Sequence, residues 1–545
     1  MYADITASEQ PWSGRSLLRR EYLIAFVVFT VIHLVLAWLV VDRWNVHLSD
    51  ALARTAEANF AIWARDSKLS AIGLTWGPLP TLLQLPLVLW RPWAMSGLAG
   101  ALVSALAAGL SAPLALATFR RIRVGGAAAW VFLIAYFAHP LVAYYHVNGM
   151  SEALFSLCLW AISATLVRIV DDRRETGLAV LGIVCAVAFL IRFDAVLTFL
   201  VVLVYLVYLS VRESMRAASP HSLSSRLTSL ALIYGIVPVG VVVLWCLVNW
   251  RVSGDPLGFL RVGYSYAVQS ASASARDELL GRMVGKPVAA IDYVRTWVVG
   301  LAPLFVLLAP IVGVWASRHR RWLALALIGV WASGAVFHTL FLIAGGSGGW
   351  SRNFIDVIPG GVVVAAIGYG FATGWLSKQI RAGLLMLALL SPFAWFYLPP
   401  PIDAFSAPAS EILRRPGPGA WPTEFSDLDP QIAADLNRRE GIVLMDTFSS
   451  FGVALRLREP ARAIITTDSN FARALARPGQ FNVQYILVPE PVGVGLLDAA
   501  NREYPTLYAD GAGAFDFEAE WSWHSNRSPD ERRTYRLYRV RTPSG

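Results

Sequence analysis

The chain has 545 residues, of which 56% are hydrophobic and only 15% charged, with a net charge of +9 and a mean hydropathy of +0.53. That balance excludes an ordinary soluble globular protein, and repeated apolar stretches near 20 residues long indicate transmembrane helices. The positive charge does not indicate nucleic acid, because the basic residues cluster in short loops between apolar runs, the pattern of cytoplasmic loops in a bilayer protein.

In chain order, about eleven spans are expected, at 22–41, 96–118, 127–144, 153–169, 177–191, 195–211, 228–249, 297–316, 322–344, 354–375 and 382–398. No small-residue cleavage site follows the first apolar run, so that run is read as a span and not as a removed signal. With the amino terminus cytoplasmic, the inside segments hold Arg15/Arg19/Arg20, Arg120/Arg121/Arg123, Arg168/Arg173/Arg174, Arg212/Arg216/Arg226, Arg318/Arg320/Arg321 and Lys378/Arg381. Every inside segment is then basic. Leu79 to Trp90 is apolar but short and carries Pro80 and Pro86, so it reads as an interfacial or re-entrant helix within an outer loop, 42–95. Arg192-Phe-Asp194 separates two spans so tightly that they form a hairpin with both charges at its tip. Cys158, Cys185 and Cys246 fall inside apolar runs and carry neither a disulfide framework nor metal spacing.

Beyond Pro399-Pro-Pro401 the character changes. Strand-like runs at Ile442–Met445, Ala463–Thr466, Tyr485–Val488 and Tyr535–Tyr538 alternate with helical stretches such as 469–477. A membrane region at 1–400 and an α/β domain at 401–545 are expected, the latter on the outer face because the span count is odd. No phosphate-binding Gly motif, nucleophile elbow or internal repeat is present.

The ionisable residues of interest fall at the ends of apolar runs on one side of the bilayer, where charge is costly and usually functional. In the first outer loop, Asp50 and Glu57 are seven residues apart and share a helix face. Asp50 reads either as a general base at the membrane surface or, with Ser49, as a helix cap, Arg54 then pairing with Asp50 or Glu57 on a solvated face. Glu152 opens a span, as an active-site acid or as a first-turn acid favoured by the helix dipole. His146 just before it is a candidate ligand or base, or polar packing. Arg352 follows the Gly-rich run Gly345–Gly349 and could hold a phosphate bidentately, or snorkel. Gly254-Asp255-Pro256-Leu257 is a turn in its own right.

Taken in order, Ser49-Asp50, Trp76-Gly-Pro-Leu-Pro-Thr-Leu-Leu83, Asn148-Gly-Met-Ser-Glu-Ala-Leu-Phe155, Arg192-Phe-Asp-Ala195, Asn249 to Leu257 and Trp350-Ser-Arg-Asn-Phe354 to Pro359 resemble the motifs of polytopic GT-C-fold glycosyltransferases. The likeness is to the bacterial branch related to protein mannosyltransferases and lipid A aminoarabinose transferases, and it covers about residues 20–400. Many members have two adjacent acids where this chain has Ser49-Asp50, which puts a carried-over metal site in doubt, and the soluble tail has no counterpart.

The resemblance implies a sugar donor on a polyprenyl phosphate in the outer leaflet of the cell (inner) membrane, and a lipid, glycan or protein acceptor. A phosphate leaving group needs a cation to stabilise developing charge, for which Arg352 is the first candidate and Arg192 the second. Asp50 would take the acceptor proton, and direct displacement would invert the anomeric configuration. Glu57, Glu152, His146, Arg192 and Asp194 would position the substrates. No cofactor is expected; a divalent metal is possible but not expected. A transporter or flippase of lipid-linked sugars is the alternative from another class, although it would favour internal repeats and interrupted helices near the midplane, whereas the charges here sit at helix ends on one side. A polymerase or ligase with a longer lipid-linked donor is not separated by sequence.

Overall fold

The computed structural model describes residues 19–172, 176–217, 220–261, 278–397, 402–525 and 532–541. Within these, eight helices are long and apolar enough to cross a membrane: Arg20–Arg43, Leu98–Arg121, Glu152–Val170, Ala195–Met215, Leu223–Ser253, Trp322–Ile343, Ser351–Phe371 and Ser377–Tyr397. The chain is therefore a multi-pass membrane protein.

The other three expected crossings take different forms. Thr176–Ile191 is a short apolar helix of 16 residues. The expected span 127–144 is two helices, Gly126–Phe137 and Pro140–Tyr145. His139 between them has ψ 125°, the extended backbone that a following proline imposes. The expected single span 297–316 is corrected more sharply. Pro287–Leu301 and Pro303–Arg318 meet at a bend of 108°. Ala302 at the break has φ −138° and ψ 60°, and Pro303 supplies no N–H to carry the helix through. Leu79 to Trp90 falls short of a crossing, as its length requires: it forms two four-residue turns, Leu79–Leu82 and Leu85–Val88, each with proline in the first turn.

Helices pack closely where side chains are small, since lipid offers no hydrophobic drive for helix association. The Ala- and Gly-rich helix Leu98–Arg121 lies against Arg20–Ala37 so tightly that a Cβ on Gly109 would stand 1.9 Å from Thr30 Oγ1. The basic end of that pair is tied by Arg120 and Glu21 at 2.9 Å.

At the opposite end, the loop 42–95 folds into the helix Ser49–Trp63 and the short turns after it. The α/β domain sits on this end. Its strands are β1 (Ile442–Met445), β2 (Ala463–Ile465), β3 (Val483–Pro489), β4 (Phe515–His524) and β5 (Arg532–Val540). The sheet order is β2-β1-β3-β5-β4, with β1 parallel to β2 and β3, and β5 antiparallel to β3 and β4. β4 was not among the expected strands, yet its sequence alternates Phe515, Phe517, Ala519, Trp521 and Trp523 with polar residues, the period of a half-buried strand. Val443, Met445, Leu487 and Leu537 on one sheet face share a core with Leu52, Ala56 and Phe60 of the helix Ser49–Trp63. Arg91 adds a hydrogen bond to the Leu457 carbonyl at 2.6 Å, and Asp66 accepts from the Ser469 amide at 2.8 Å. The α/β domain is thus seated on the helix that carries Asp50 and Glu57.

Candidate active site

Asp50 lies in the first turn of Ser49–Trp63, where the N-cap is Leu48 and no side chain caps the helix. The capping reading of Ser49 and Asp50 therefore does not hold. Asp50 Oδ2 instead accepts from Nη1 of Arg352, 302 residues away in sequence. Arg352 is presented by a single 3-10 turn, Ser351–Phe354, that follows the Gly-rich run. The turn is clamped from outside: the Ser351 amide and hydroxyl donate to Asp403 at 2.7 and 2.8 Å. The guanidinium stacks over Phe405 at 4.4 Å and Trp350 at 5.2 Å, which fixes its plane.

A second cluster forms at the hairpin tip. Arg192 follows Thr176–Ile191 directly, and Asp194 precedes Ala195–Ala217. Arg192 pairs with Asp194 at 2.8 Å and with Glu152, the first residue of its own helix, at 3.1 Å. Asp194 also meets His338 Nε2 at 3.3 Å. Asp356 lies close by and fully buried, neither of its oxygens hydrogen-bonded among the described residues. Burial of so many acids is tolerable only because Arg192 stands among them, as an unpaired buried charge is far costlier than a paired one.

A third cluster joins the two. Trp76 donates from Nε1 to Glu57 Oε2 at 3.1 Å, and its ring carries the Arg54 guanidinium at 4.7 Å. Arg54 is buried, not solvated, and it stacks on Trp76 in place of an ion pair with Asp50 or Glu57. Gly77 lets the Trp76 segment press against the hairpin: a Cβ there would stand 2.4 Å from the Leu190 carbonyl oxygen. Burial pushes the Glu57 carboxyl up to about 8, against the opposing pull of the Trp76 hydrogen bond and Arg54.

Two cavities open on these clusters. The smaller, about 150 Å³, is lined by Asp50, Arg54, Glu152, Arg192, Asp194 and Arg352, with Phe337 and Phe341 on an apolar side. The larger, about 470 Å³, lies under the α/β domain and includes Glu57. Asp50, Thr75 and Trp76 line both. Six of the seven residues singled out from sequence thus line one cavity or the other.

His146 is the exception. It is buried in the bundle, with Nε2 3.1 Å from the Tyr136 hydroxyl and its ring 5.3 Å from that of His33, and it lines neither cavity. The polar-packing reading fits it. Asp255 accepts from the Leu257 amide at 2.9 Å, a turn as its sequence suggests. Arg54 and Trp76, named in the sequence without a part in the chemistry, join the site together with His338 and Asp356, which were not singled out; the available signal was an ionisable residue inside an otherwise apolar run, which is clear for His338 and Asp356. Among the described residues, no group of three or more His, Cys, Asp or Glu side chains is arranged to hold a metal ion.

The fold is that of a polytopic GT-C-type membrane protein carrying a small α/β domain. No family model matches the chain and no curated protein matches it by sequence. Among solved structures it resembles ArnT from Cupriavidus metallidurans bound to undecaprenyl phosphate, with a TM-score of 0.51 and 15% identity over 95% of this chain and 98% of that one. The apo state of the same protein gives the same values. The archaeal oligosaccharyltransferase AglB from Archaeoglobus fulgidus, in complex with an inhibitory peptide and a dolichol-phosphate, has a TM-score of 0.43 and 12% identity over 92% of this chain and 73% of that one.

Proposed function

We propose that this chain is a membrane glycosyltransferase that moves a sugar from a polyprenyl-phosphate donor to an acceptor hydroxyl, on the face of the bilayer that carries the α/β domain. The observation that carries the reading is the position of Asp50. It stands where the two cavities meet and is held by Arg352. The fold shared with ArnT, whose structure holds undecaprenyl phosphate, supports the donor class.

The smaller cavity suits the donor head group. It combines guanidiniums with an apolar side, as a phosphate bearing a prenyl tail requires. Arg352 takes the phosphate, and in doing so competes with Asp50 for its own guanidinium. Donor binding therefore frees a carboxylate oxygen at the point where an acceptor hydroxyl arrives. Asp50 accepts the hydroxyl proton, the oxygen attacks the anomeric carbon, and the bond from that carbon to the phosphate oxygen breaks. The pair of electrons leaves with the phosphate, where Arg352 stabilises it, and the anomeric configuration inverts. Arg192, Glu152 and Asp194 form a rigid base beneath the sugar, and Glu57, protonated at neutral pH, donates a hydrogen bond from the acceptor side. The amino terminus is cytoplasmic and the α/β domain extracytoplasmic in this reading, in the cell (inner) membrane. The basic end of the helix pair that holds Arg120 and Glu21 faces the cytoplasm.

The test is transfer of label from polyprenyl-phosphate sugars in membranes expressing wild type or Asp50→Asn, with lipid, glycan and protein fractions counted separately. Transfer by wild type and loss in the variant is the expected result. Absence of transfer from every donor sinks the reading and directs attention to transbilayer flux.

A further inference from the structure

The donor chemistry uses only the smaller cavity, and the larger one, which carries Glu57, has so far been given no occupant of defined chemistry. Its position constrains what enters it. It shares Asp50, Thr75 and Trp76 with the smaller cavity but none of the hairpin-cluster residues Glu152, Arg192 and Asp194, so a molecule there can present a hydroxyl to Asp50 without displacing the donor.

One wall is built by the α/β domain in a specific way. Asp446 follows β1, and Thr466 and Thr467 follow β2, so the cavity lies beyond the carboxyl ends of two adjacent parallel strands. That edge is where open α/β sheets gather ligand-binding groups, because the loops there are free to vary while the strands hold them in place. Here the edge is organised. Thr466 Oγ1 donates to Asp446 Oδ1 at 2.7 Å, and the Thr447 amide donates back to Thr466 Oγ1 at 3.0 Å. The helix Thr447–Leu455 starts at this point, with Asp446 capping it through the Phe448 amide.

The lining is of one chemical kind. Hydroxyls come from Thr447, Ser449 and Thr467, and aromatic rings from Phe60, Trp421 and Phe448. Hydroxyls bond to sugar hydroxyls in either direction, and ring faces take the C–H faces of a pyranose. The charges are just as selective. Asp50, Glu424 and Asp446 contribute carboxylates and Glu57 a neutral carboxyl, whereas the single guanidinium among the described lining residues, Arg533, is paired with Glu424 at 3.5 Å. Burial and nearby Arg456 push the His47 imidazole down to about 3, so it adds no positive charge. A phosphate group in this cavity would meet like charge with no cation free to receive it.

We infer that the larger cavity is the acceptor subsite, and that the acceptor is an uncharged, hydroxyl-rich glycan held against the carboxyl ends of β1 and β2. The inference rests on the reading of Asp50 as the base, and it is tested without using transfer. Full-length protein in phosphatidylcholine nanodiscs is titrated with a panel of neutral gluco-, manno- and galacto-trisaccharides and with the 6-phosphates of the same sugars. Intrinsic tryptophan fluorescence is followed, since Trp76 and Trp421 line the cavity. At least one neutral trisaccharide is expected to bind saturably, and its phosphate at least tenfold more weakly. Thr447→Val and Trp421→Ala should each weaken that binding about tenfold and leave undecaprenyl phosphate binding unchanged. Equal or tighter binding of the phosphates, no saturable binding by any probe, or variants that bind the glycan as wild type does would each overturn the inference. Glycan binding without label transfer from any donor would remove the transferase reading alone. Transfer of label to a phosphorylated lipid or to a peptide would remove the acceptor assignment alone.

Discussion

Replacing Asp50 with Asn preserves the side chain's shape and one acceptor oxygen while removing its basicity, so it separates chemistry from scaffold. A positioned general base contributes about 10²- to 10⁴-fold to rate, or about 2.7–5.5 kcal/mol of transition-state stabilisation. The cost to folding is smaller. The Asp50 side chain is 22% exposed and that of Arg352 11%, and the asparagine oxygen still accepts from Arg352. The change from a charged to a neutral acceptor in a partly buried pair costs about 1–2 kcal/mol. The variant should therefore be made in normal amounts, melt within a few degrees of wild type, bind undecaprenyl phosphate within a few-fold, and transfer label at 1% of the wild-type rate or less. Because Asn competes less strongly for the guanidinium, donor binding should if anything tighten. The assay is single-turnover transfer from a labelled polyprenyl-phosphate sugar in membranes at saturating donor, so that occupancy cannot mimic a rate effect. A rate within tenfold of wild type at saturation would refute the assignment of Asp50 as base. A donor affinity lost together with the rate would instead make Asp50 part of the donor site.

Arg192→Met leaves Glu152, Asp194 and Asp356 without their shared cation and should destabilise the protein by about 3–5 kcal/mol. Adding Asp194→Asn should restore part of the melting temperature, and a double variant no more stable than the single one would count against the network. Glu57 has a folded-state value of about 8, above the ordinary carboxyl range, so its neutral form prevails below pH 8 and the stability it contributes is lost as pH rises through that value. Activity should fall on the alkaline side of pH 8 in wild type and stay level in Glu57→Gln; identical profiles would remove Glu57 from the acceptor side. Gly109→Val should part the helices Arg20–Ala37 and Leu98–Arg121, because a Cβ at that position already meets Thr30 at 1.9 Å. Overpacking of that kind costs about 1–3 kcal/mol, visible as a lower melting temperature and lower membrane yield.

The helices were legible because a chain in lipid must satisfy every backbone group within its own segment, which leaves long apolar runs as the one economical solution. The alternating strands of the α/β domain were legible for the corresponding reason, period-two burial, although β4 shows that alternating aromatics can be passed over when acids lie between them. The bend at Ala302 could not be inferred from apolarity alone, since hydropathy averages across the proline that breaks the helix. Asp50, Glu152, Arg192 and Arg352 stood out because ionisable groups at the hydrocarbon edge are expensive. His146 stood out on the same ground and went elsewhere, since a residue's distance from a helix end does not determine which way the helix is turned.

What sequence alone determined was therefore a list of costly residues on one side of a membrane. The tertiary structure decided their partners. Asp50 and Arg352 are 302 positions apart, and Arg192 reaches Glu152 across 40. Arg54 was open to pairing with either acid nearby and instead lies on Trp76. The α/β domain, which has no motif of its own, lines a cavity together with Asp50 through the residues that follow β1 and β2. Burial is local and leaves a periodic trace along the chain. Pairing is a property of helices turned toward one another, and that rotation is fixed by packing among segments that are distant in sequence.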